Sequence, residues 1–201
     1  MKASIKSKVV LAALTAALLG ASTLSAVGAE SAASVAQKGL AELAKGVYST
    51  GPNGEKAAAA SSLKFTAAEL TKLKAMKATA AISFHLTSDW TSGQQAGLTK
   101  RFGELGIKIV GVTQADFKAD VQVSQIQTLM AKKPNILVSI PVDGQATAGA
   151  YKAAAAAGAK IVFMDNTAAG LTVGKDYVSV VSADNYANGA ASAYLLGREL
   201  N

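Results

Sequence analysis

Five short apolar segments of this 201-residue chain each end in side chains that could bind a small polar molecule. Carboxylate and amide oxygens accept hydrogen bonds from hydroxyl groups, an imidazole can also donate a hydrogen bond, and an indole offers a flat apolar face. The apolar segments cover residues 80–86, 107–112, 136–140, 161–164 and 178–181. The side chains at or after their ends are His85, Ser88, Asp89 and Trp90, then Asp116, then Asp143, then Asp165 and Asn166, and finally Asp184. Together these residue types suit the recognition of hydroxyl groups.

Helix-patterned segments separate the apolar runs, and this alternation predicts an α/β fold with a doubly wound parallel sheet. Such sheets bind ligands at the carboxyl ends of their strands, where these polar residues lie. We expect one helix to begin at a capping box of Ser92 and Gln95 and to end at Gly106. We expect the next helix to bury Val123, Ile126 and Met130 on one face.

Each candidate also has a purely structural interpretation. Trp90 can contact a ligand or pack against its own domain, and His85 can face the ligand or bond to the backbone. Asp165 and Asn166 suit ligand contact or a turn, because both residue types favour turns. Asp89 and Asp116 can reach a ligand or start the helices that follow them. We assign Asp143 and Asp184 to helix capping, because each directly precedes a helix-patterned segment.

The first 29 residues have the pattern of a cleavable secretory signal peptide. Lys2, Lys6 and Lys8 precede an apolar stretch over residues 9–19, and the small residues 27–29 form a cleavage site. Residues 30–76 are predicted to form a helical extension with a linker over residues 49–62 and a second capping box of Thr66 and Glu69. We therefore predict a periplasmic protein that has no stable membrane insertion once the signal is removed.

The composition argues against several other classes of protein. The chain has no Cys and one His, so thiolate chemistry, a zinc site and a serine-type triad lack the residues they need. No phosphate-binding glycine motif follows the first strand, which argues against nucleotide binding. The net charge of +7 includes three lysines of the signal segment, so the rest of the chain is only mildly basic and lacks the charge typical of nucleic-acid-binding proteins. We predict a protein that is not an enzyme and that uses no cofactor, no metal and no nucleic acid partner.

Three motifs identify a resemblance. The segments ILVSIPVD at 136–143, VFMDN at 162–166 and VSVVSADNYANG at 178–189 resemble sugar-type, ribose-binding-like periplasmic solute-binding proteins of ATP-binding-cassette importers. The resemblance covers roughly residues 80–201. It implies two α/β lobes joined by a hinge, a ligand held between them, and a closed form that docks on a membrane permease.

The resemblance also implies particular ligand contacts. The family places polar and aromatic residues after the first strand, where this chain has Ser88 and Trp90. An Asp, commonly followed by Arg, ends the fourth strand and binds sugar hydroxyls, and here Asp165 is followed by Asn166. The missing guanidinium removes a rigid five-donor fork, which argues against ribose and against an anionic ligand.

We expect a first lobe over residues 77–182 and the start of a truncated second lobe over residues 183–201, because the last helix is still running at the end of the chain. The predicted function is capture of a small neutral sugar or polyol by a monomer for delivery to an ATP-binding-cassette permease. The alternatives are the ligand-binding part of a sugar-sensing or chemotaxis system and a metal-dependent enzyme. The predicted ligand-binding residues are Trp90, Asp165, Asn166, Ser88, Asp89, His85 and Asp116.

Overall fold

All five apolar segments form strands, and the strands make one parallel sheet. The computed structural model describes residues 30–52 and 54–199, so the predicted signal peptide over residues 1–29 lies outside the described residues. The strands are β1 (Thr79–Phe84), β2 (Lys108–Gln114), β3 (Ile136–Ser139), β4 (Lys160–Met164) and β5 (Ser179–Val181). The helices are α1 (Ala32–Leu43), α2 (Ala67–Ala75), α3 (Asp89–Glu104), α4 (Ala119–Met130), α5 (Ala148–Ala156) and α6 (Asn185–Glu199).

The strand order in the sheet is β2-β1-β3-β4-β5, and every neighbouring pair is parallel. The chain moves outward from β1 to β2 and then crosses back over β1 to form β3. Reversal of the strand order beside β1 creates a crevice at the carboxyl ends of β1 and β3, where doubly wound folds bind ligands. The predicted α/β class and parallel sheet are confirmed.

Both faces of the sheet are covered, which explains the continuous apolar runs of the strands. Helices α4 and α5 pack on one face, and α3 packs on the other. The first face buries Ala81, Ile126, Leu129, Leu137, Tyr151, Ala154, Ile161 and Phe163, while the second buries Ile82, Phe84, Val138, Ile140 and Met164. Alternate strand residues therefore belong to opposite layers, as the two-residue period of a strand requires.

The buried face of α4 differs from the prediction. Gln122, Ile126 and Leu129 are fully buried, whereas Val123 and Met130 are only partly buried. Gln122 is satisfied inside the core: its Nε2 donates to the Ile140 carbonyl oxygen at 2.8 Å, and its Oε1 accepts from the Val142 N–H at 2.7 Å. Gln122 thereby holds the chain where it leaves β3 at the carboxyl edge of the sheet.

A second polar contact is buried beside β3. The Tyr151 hydroxyl lies 2.7 Å from Ser139 Oγ, and Ser139 Oγ donates to the Ser83 carbonyl oxygen at 2.9 Å. Burial raises the pKa of Tyr151, so the phenol stays protonated. These contacts connect α5 to β3 and β1 beneath the carboxyl edge.

The N-terminal extension contacts both ends of the sheet. The predicted capping box of Thr66 and Glu69 is confirmed at the start of α2, whose Leu70 and Leu73 pack against the cluster at the beginning of β1 and β2. The described part of the predicted linker, residues 49–52 and 54–62, contains an isolated bridge between Thr50 and Lys56 and one short 3-10 turn.

Helix α1 packs on α6, which the sequence left without a partner. Gly39 allows the close approach, since a Cβ atom at this position would overlap the ring of Tyr194. Part of the apolar surface of α6 is therefore covered by a helix from the opposite end of the chain.

Candidate functional site

Helix α3 begins before its predicted capping box. Ser88 is the N-cap: its Oγ accepts from the Thr91 N–H at 3.2 Å, and Thr91 Oγ1 accepts from the Ser88 N–H at 2.8 Å. The predicted box of Ser92 and Gln95 is wrong, because Thr91 takes the role expected of a Glu or Gln at the third helical position. Trp90 consequently lies in the first turn of a helix and not in a loop.

Three aromatic side chains meet at the carboxyl ends of β1 and β2. The His85 ring lies edge-on to Trp90, with ring centroids 6.2 Å apart, and edge-on to Phe117, with centroids 5.2 Å apart. Trp90 is 50% exposed and Phe117 is 64% exposed. The indole and phenyl groups therefore keep surface that can contact a ligand.

Phe117 was missed by the sequence analysis. It follows Asp116 in the loop after β2, and both residues have a left-handed backbone, with φ of +58° and +48°. This conformation costs about 1 kcal/mol per residue for side chains other than glycine. The Phe117 N–H donates to the His85 carbonyl oxygen at 2.8 Å, which holds the loop against the end of β1. An isolated aromatic in the polar segment after a strand was the available signal.

His85 is kept neutral by its surroundings. Burial lowers its pKa, and the carboxylate of Asp165 raises it by a smaller amount. Its Nδ1 is buried and has no hydrogen-bond partner within residues 30–52 and 54–199. The interpretation of His85 as a ring bonded to backbone is therefore not what the structure shows. The contribution of Asp165 to the pKa of His85 links the residue after β1 with the residue after β4.

Asp165 and Asn166 are exposed at the end of β4. Asp165 has a left-handed backbone, with φ of +65°, and its Oδ1 accepts from Ser182 Oγ at 2.9 Å. Asn166 donates its N–H to the Met164 carbonyl oxygen at 2.8 Å, as in a tight turn. Both residues line a cleft, so the turn leaves them at its surface.

The remaining predicted contacts divide between exposed and capping positions. Asp89 and Asp116 are exposed, and the N-cap of α4 is Lys118 and not Asp116. Asp143 Oδ1 accepts from the N–H groups of Gln145 and Ala146 at 2.8 and 2.7 Å, so it caps the turn before α5 and not the helix itself, whose N-cap is Thr147.

Asp184 has a larger role than the cap predicted for it. Its carboxylate accepts from the Ala187 N–H of α6 at 3.0 Å and from groups of Tyr48 and Ser49 in the N-terminal extension. The N–H groups of Tyr48 and Ala187, with further bonds from Ser49, lower the pKa of Asp184 to about 2.

A cleft of about 1300 Å³ lies between the ends of β3, β4 and β5 and the N-terminal extension. Its walls include Asp165, Asn166, Tyr48, Lys56 and Val181. The aromatic group around His85 lies outside this lining. Asp165 lines the cleft, and its carboxylate also raises the pKa of His85.

Residues 30–52 and 54–199 contain no group of three or more His, Cys, Asp or Glu side chains that could hold a metal ion. Within the same residues, every helix is too short or too polar to cross a membrane.

Comparison with known proteins identifies the family. A family described as periplasmic binding protein domain matches residues 80–201. This chain belongs to that family. No curated protein matches the chain.

Solved structures share the fold of this periplasmic binding protein domain. A myo-inositol binding protein from Caulobacter, bound to myo-inositol, is 24% identical with a TM-score of 0.53, over 61% of this chain and 40% of that one. The arabinose binding protein AraP from Geobacillus stearothermophilus is 18% identical with a TM-score of 0.54, over 61% and 41%. A solute binding protein of an ABC transporter from Agrobacterium vitis, bound with alpha-D-tagatopyranose, is 24% identical with a TM-score of 0.50, over 55% and 40%. This chain therefore spans about 40% of the length of these structures.

Proposed function

We propose that this chain takes part in the capture of a small neutral sugar or polyol in the periplasm, for delivery to an ATP-binding-cassette permease without chemical change. The observation that carries the proposal is the contact of the exposed Trp90 and Phe117 rings with His85. The pKa of His85 is lowered by burial, which favours the neutral imidazole, and the Asp165 carboxylate partly opposes this shift. The signal peptide predicted over residues 1–29 would direct the chain to that compartment, where we expect it to act as a monomer.

The proposed contacts follow from the chemistry of a polyol. A sugar ring or cyclitol has a face of C–H groups, which packs on an indole or phenyl ring, while its hydroxyl groups bond at the rim. Asp165 can accept hydrogen bonds from two hydroxyl groups, Asn166 can both donate and accept them, and His85 presents a nitrogen without a partner in the described chain. Such a site binds a ligand through its hydroxyl groups and does not require the ligand to be charged.

The predicted ligand residues also favour a neutral ligand. They include the carboxylates Asp89, Asp116 and Asp165 and a neutral imidazole, but no Lys or Arg. An anionic solute would meet only like charge from these groups. Related structures named above contain myo-inositol and alpha-D-tagatopyranose, which are uncharged and rich in hydroxyl groups.

Thermal unfolding with a ligand panel tests the proposal. The panel contains myo-inositol, D-tagatose, L-arabinose and glycerol, with D-glucarate as the anionic control. A ligand present at about 100 times its Kd stabilises the folded state by about 2.7 kcal/mol, which raises Tm by several degrees. We expect at least one neutral member to raise Tm while D-glucarate has no effect. No response to any neutral polyol, or a response to D-glucarate alone, would contradict the proposal.

A matched pair of variants assigns the response to the site. Trp90→Ala should abolish the shift in Tm. Phe65→Ala removes a similarly exposed aromatic side chain that lies outside the lining of the cleft, and it should leave the shift unchanged. An equal loss of ligand response in both variants would show that the effect does not come from Trp90.

A further inference from the structure

The N-terminal extension precedes the part of the chain that matches the family. The family match begins at residue 80, whereas the described chain begins at residue 30. This extension runs from α1, which packs on α6, to α2, which packs beneath the amino ends of β1 and β2. Residues 44–52 and 54–63, which we call the strap, connect these two helices across the carboxyl end of β5.

The strap is joined to the chain after β5 through one carboxylate. Asp184 Oδ2 accepts from the Tyr48 N–H at 2.6 Å, and Oδ1 accepts from the Ser49 N–H at 3.0 Å and from Ser49 Oγ at 2.7 Å. Bonds to an ionised acceptor are stronger than bonds between neutral groups. Because Oδ1 also accepts from the Ala187 N–H, one side chain caps α6 and holds the strap.

Two further contacts make the junction reciprocal. Ser49 Oγ accepts from the Tyr186 N–H at 3.2 Å, so the Ser49 hydroxyl bonds to both the Asp184 carboxylate and the backbone of α6. The rings of Tyr48 and Tyr186 are stacked, with centroids 6.1 Å apart and an angle of 27° between their planes. The junction therefore combines charge-assisted bonds, a backbone bond and ring packing.

The junction also connects to the candidate ligand site. Asp184 follows Ser182 by two residues, and Ser182 Oγ donates to Asp165 Oδ1 at 2.9 Å. The strap and the segment 182–186 line the same cleft as Asp165 and Asn166. The bonds between Asp184 and the strap therefore position one wall of the cleft. They also position the segment whose Ser182 bonds to Asp165.

The geometry points to a specific role: the strap is a wall of the ligand cleft, and Ser49 and Asp184 are positioning residues that keep it closed over the ends of β4 and β5. As a statement about ligand binding, this inference rests on the proposed function. The closure of the strap itself can be measured without a ligand.

Cysteine labelling measures the closure. The chain has no native Cys, so Ser179→Cys places a single thiol in the lining of the cleft, and Ser124→Cys places one on the exposed surface of α4. We expect a bulky maleimide to react with the Ser179→Cys thiol about tenfold faster when Ser49→Ala or Asp184→Ala is added, because loss of such bonds shifts an opening equilibrium by about this factor. The Ser124→Cys thiol should react at an unchanged rate.

Asp143→Ala is the matched control for the loss of a capping carboxylate. Asp143 bonds to two backbone N–H groups of its own turn, at residues 145 and 146, so its loss should leave the labelling of Ser179→Cys unchanged. Equal labelling rates in the parent, Ser49→Ala and Asp184→Ala proteins would overturn the inference, as would an equal acceleration by Asp143→Ala.

Protection by a ligand separates this inference from the proposed function. Saturating myo-inositol or D-tagatose, whichever changes Trp90 fluorescence, should slow labelling of Ser179→Cys. A change in Trp90 fluorescence without any protection would show that the strap does not enclose the ligand, and the inference would fail. If neither polyol changes Trp90 fluorescence, the proposed ligand class fails, while the labelling rates still decide whether the strap is held by Asp184.

Discussion

The His85 imidazole lies edge-on to the Trp90 indole, with ring centroids 6.2 Å apart. His85 directly follows β1 and Trp90 lies in the first turn of α3, so one short segment of chain supplies both a polar ring nitrogen and a flat apolar surface. Because Trp90 is the only Trp of the chain, its fluorescence reports directly on this contact.

Binding of a neutral polyol should change the fluorescence of Trp90. A ligand that packs on the indole removes water from its exposed half, which shifts the emission to shorter wavelength. Phe117→Ala, which removes the second exposed ring beside His85, should weaken binding by about tenfold, or ~1.4 kcal/mol. Titration of fluorescence with each polyol gives the Kd. Unchanged affinity in Phe117→Ala would exclude the phenyl ring from the site.

The pKa of His85 should fall further in Asp165→Asn. Burial already lowers this pKa below the ordinary value of 6.5, and the Asp165 carboxylate opposes the shift. Since the chain has one His, a single imidazole resonance followed by NMR from pH 4 to 8 reports the midpoint. Asp120→Asn removes an exposed carboxylate of α4 and should leave the midpoint unchanged. A midpoint that rises in Asp165→Asn would contradict the assigned electrostatics.

The same titration has a consequence for stability. The unfolded chain takes up the His85 proton near pH 6.5, whereas the folded chain resists protonation until lower pH. The contribution of His85 to the free energy of unfolding is therefore largest above pH 6.5 and declines as the pH falls toward the folded pKa. Substitution His85→Gln should remove this part of the pH dependence, as measured by urea unfolding at pH 5 and pH 8.

Replacing the buried Gln122 should destabilise the fold far more than replacing an exposed glutamine of the same helix. Gln122→Leu leaves the Ile140 carbonyl and the Val142 N–H without their partner, at a cost of about 2–4 kcal/mol in the free energy of unfolding. Gln127→Leu changes an exposed residue of the same helix and should alter stability by less than about 0.5 kcal/mol. Urea unfolding compares the two variants, and an equal cost would refute a structural role for the buried amide.

The bonds between Asp184 and the strap should survive to strongly acidic pH. The pKa of Asp184 is lowered from its ordinary value of 3.8 to about 2, so the stability that its ionised form contributes is complete above about pH 4 and is lost as the pH falls through 2. NMR shifts of the Tyr48 and Ser49 amides should follow that titration and should not do so in Asp184→Asn. Amide shifts that change with a midpoint near 4 would show that the carboxylate is not held in this way.

Local patterns in the sequence determined the elements of this fold. The apolar runs and their spacing predicted all five strands, because a strand buried on both faces needs apolar residues at successive positions. The capping box of Thr66 and Glu69 was predictable because both partners lie within one turn of helix. The position of the candidate site followed from the sheet, since parallel strands all end at one edge.

Tertiary structure alone decided which side chains meet. Phe117 contacts His85 from a loop with a left-handed backbone. The buried Gln122 side chain bonds to two backbone groups after β3. Ser49 bonds to Asp184 although 135 positions of sequence separate them. Sequence spacing encodes hydrogen bonds within a turn, because the chain itself brings those groups together. Contacts between distant segments depend on how helices and strands pack, so their partners became identifiable only in the folded chain.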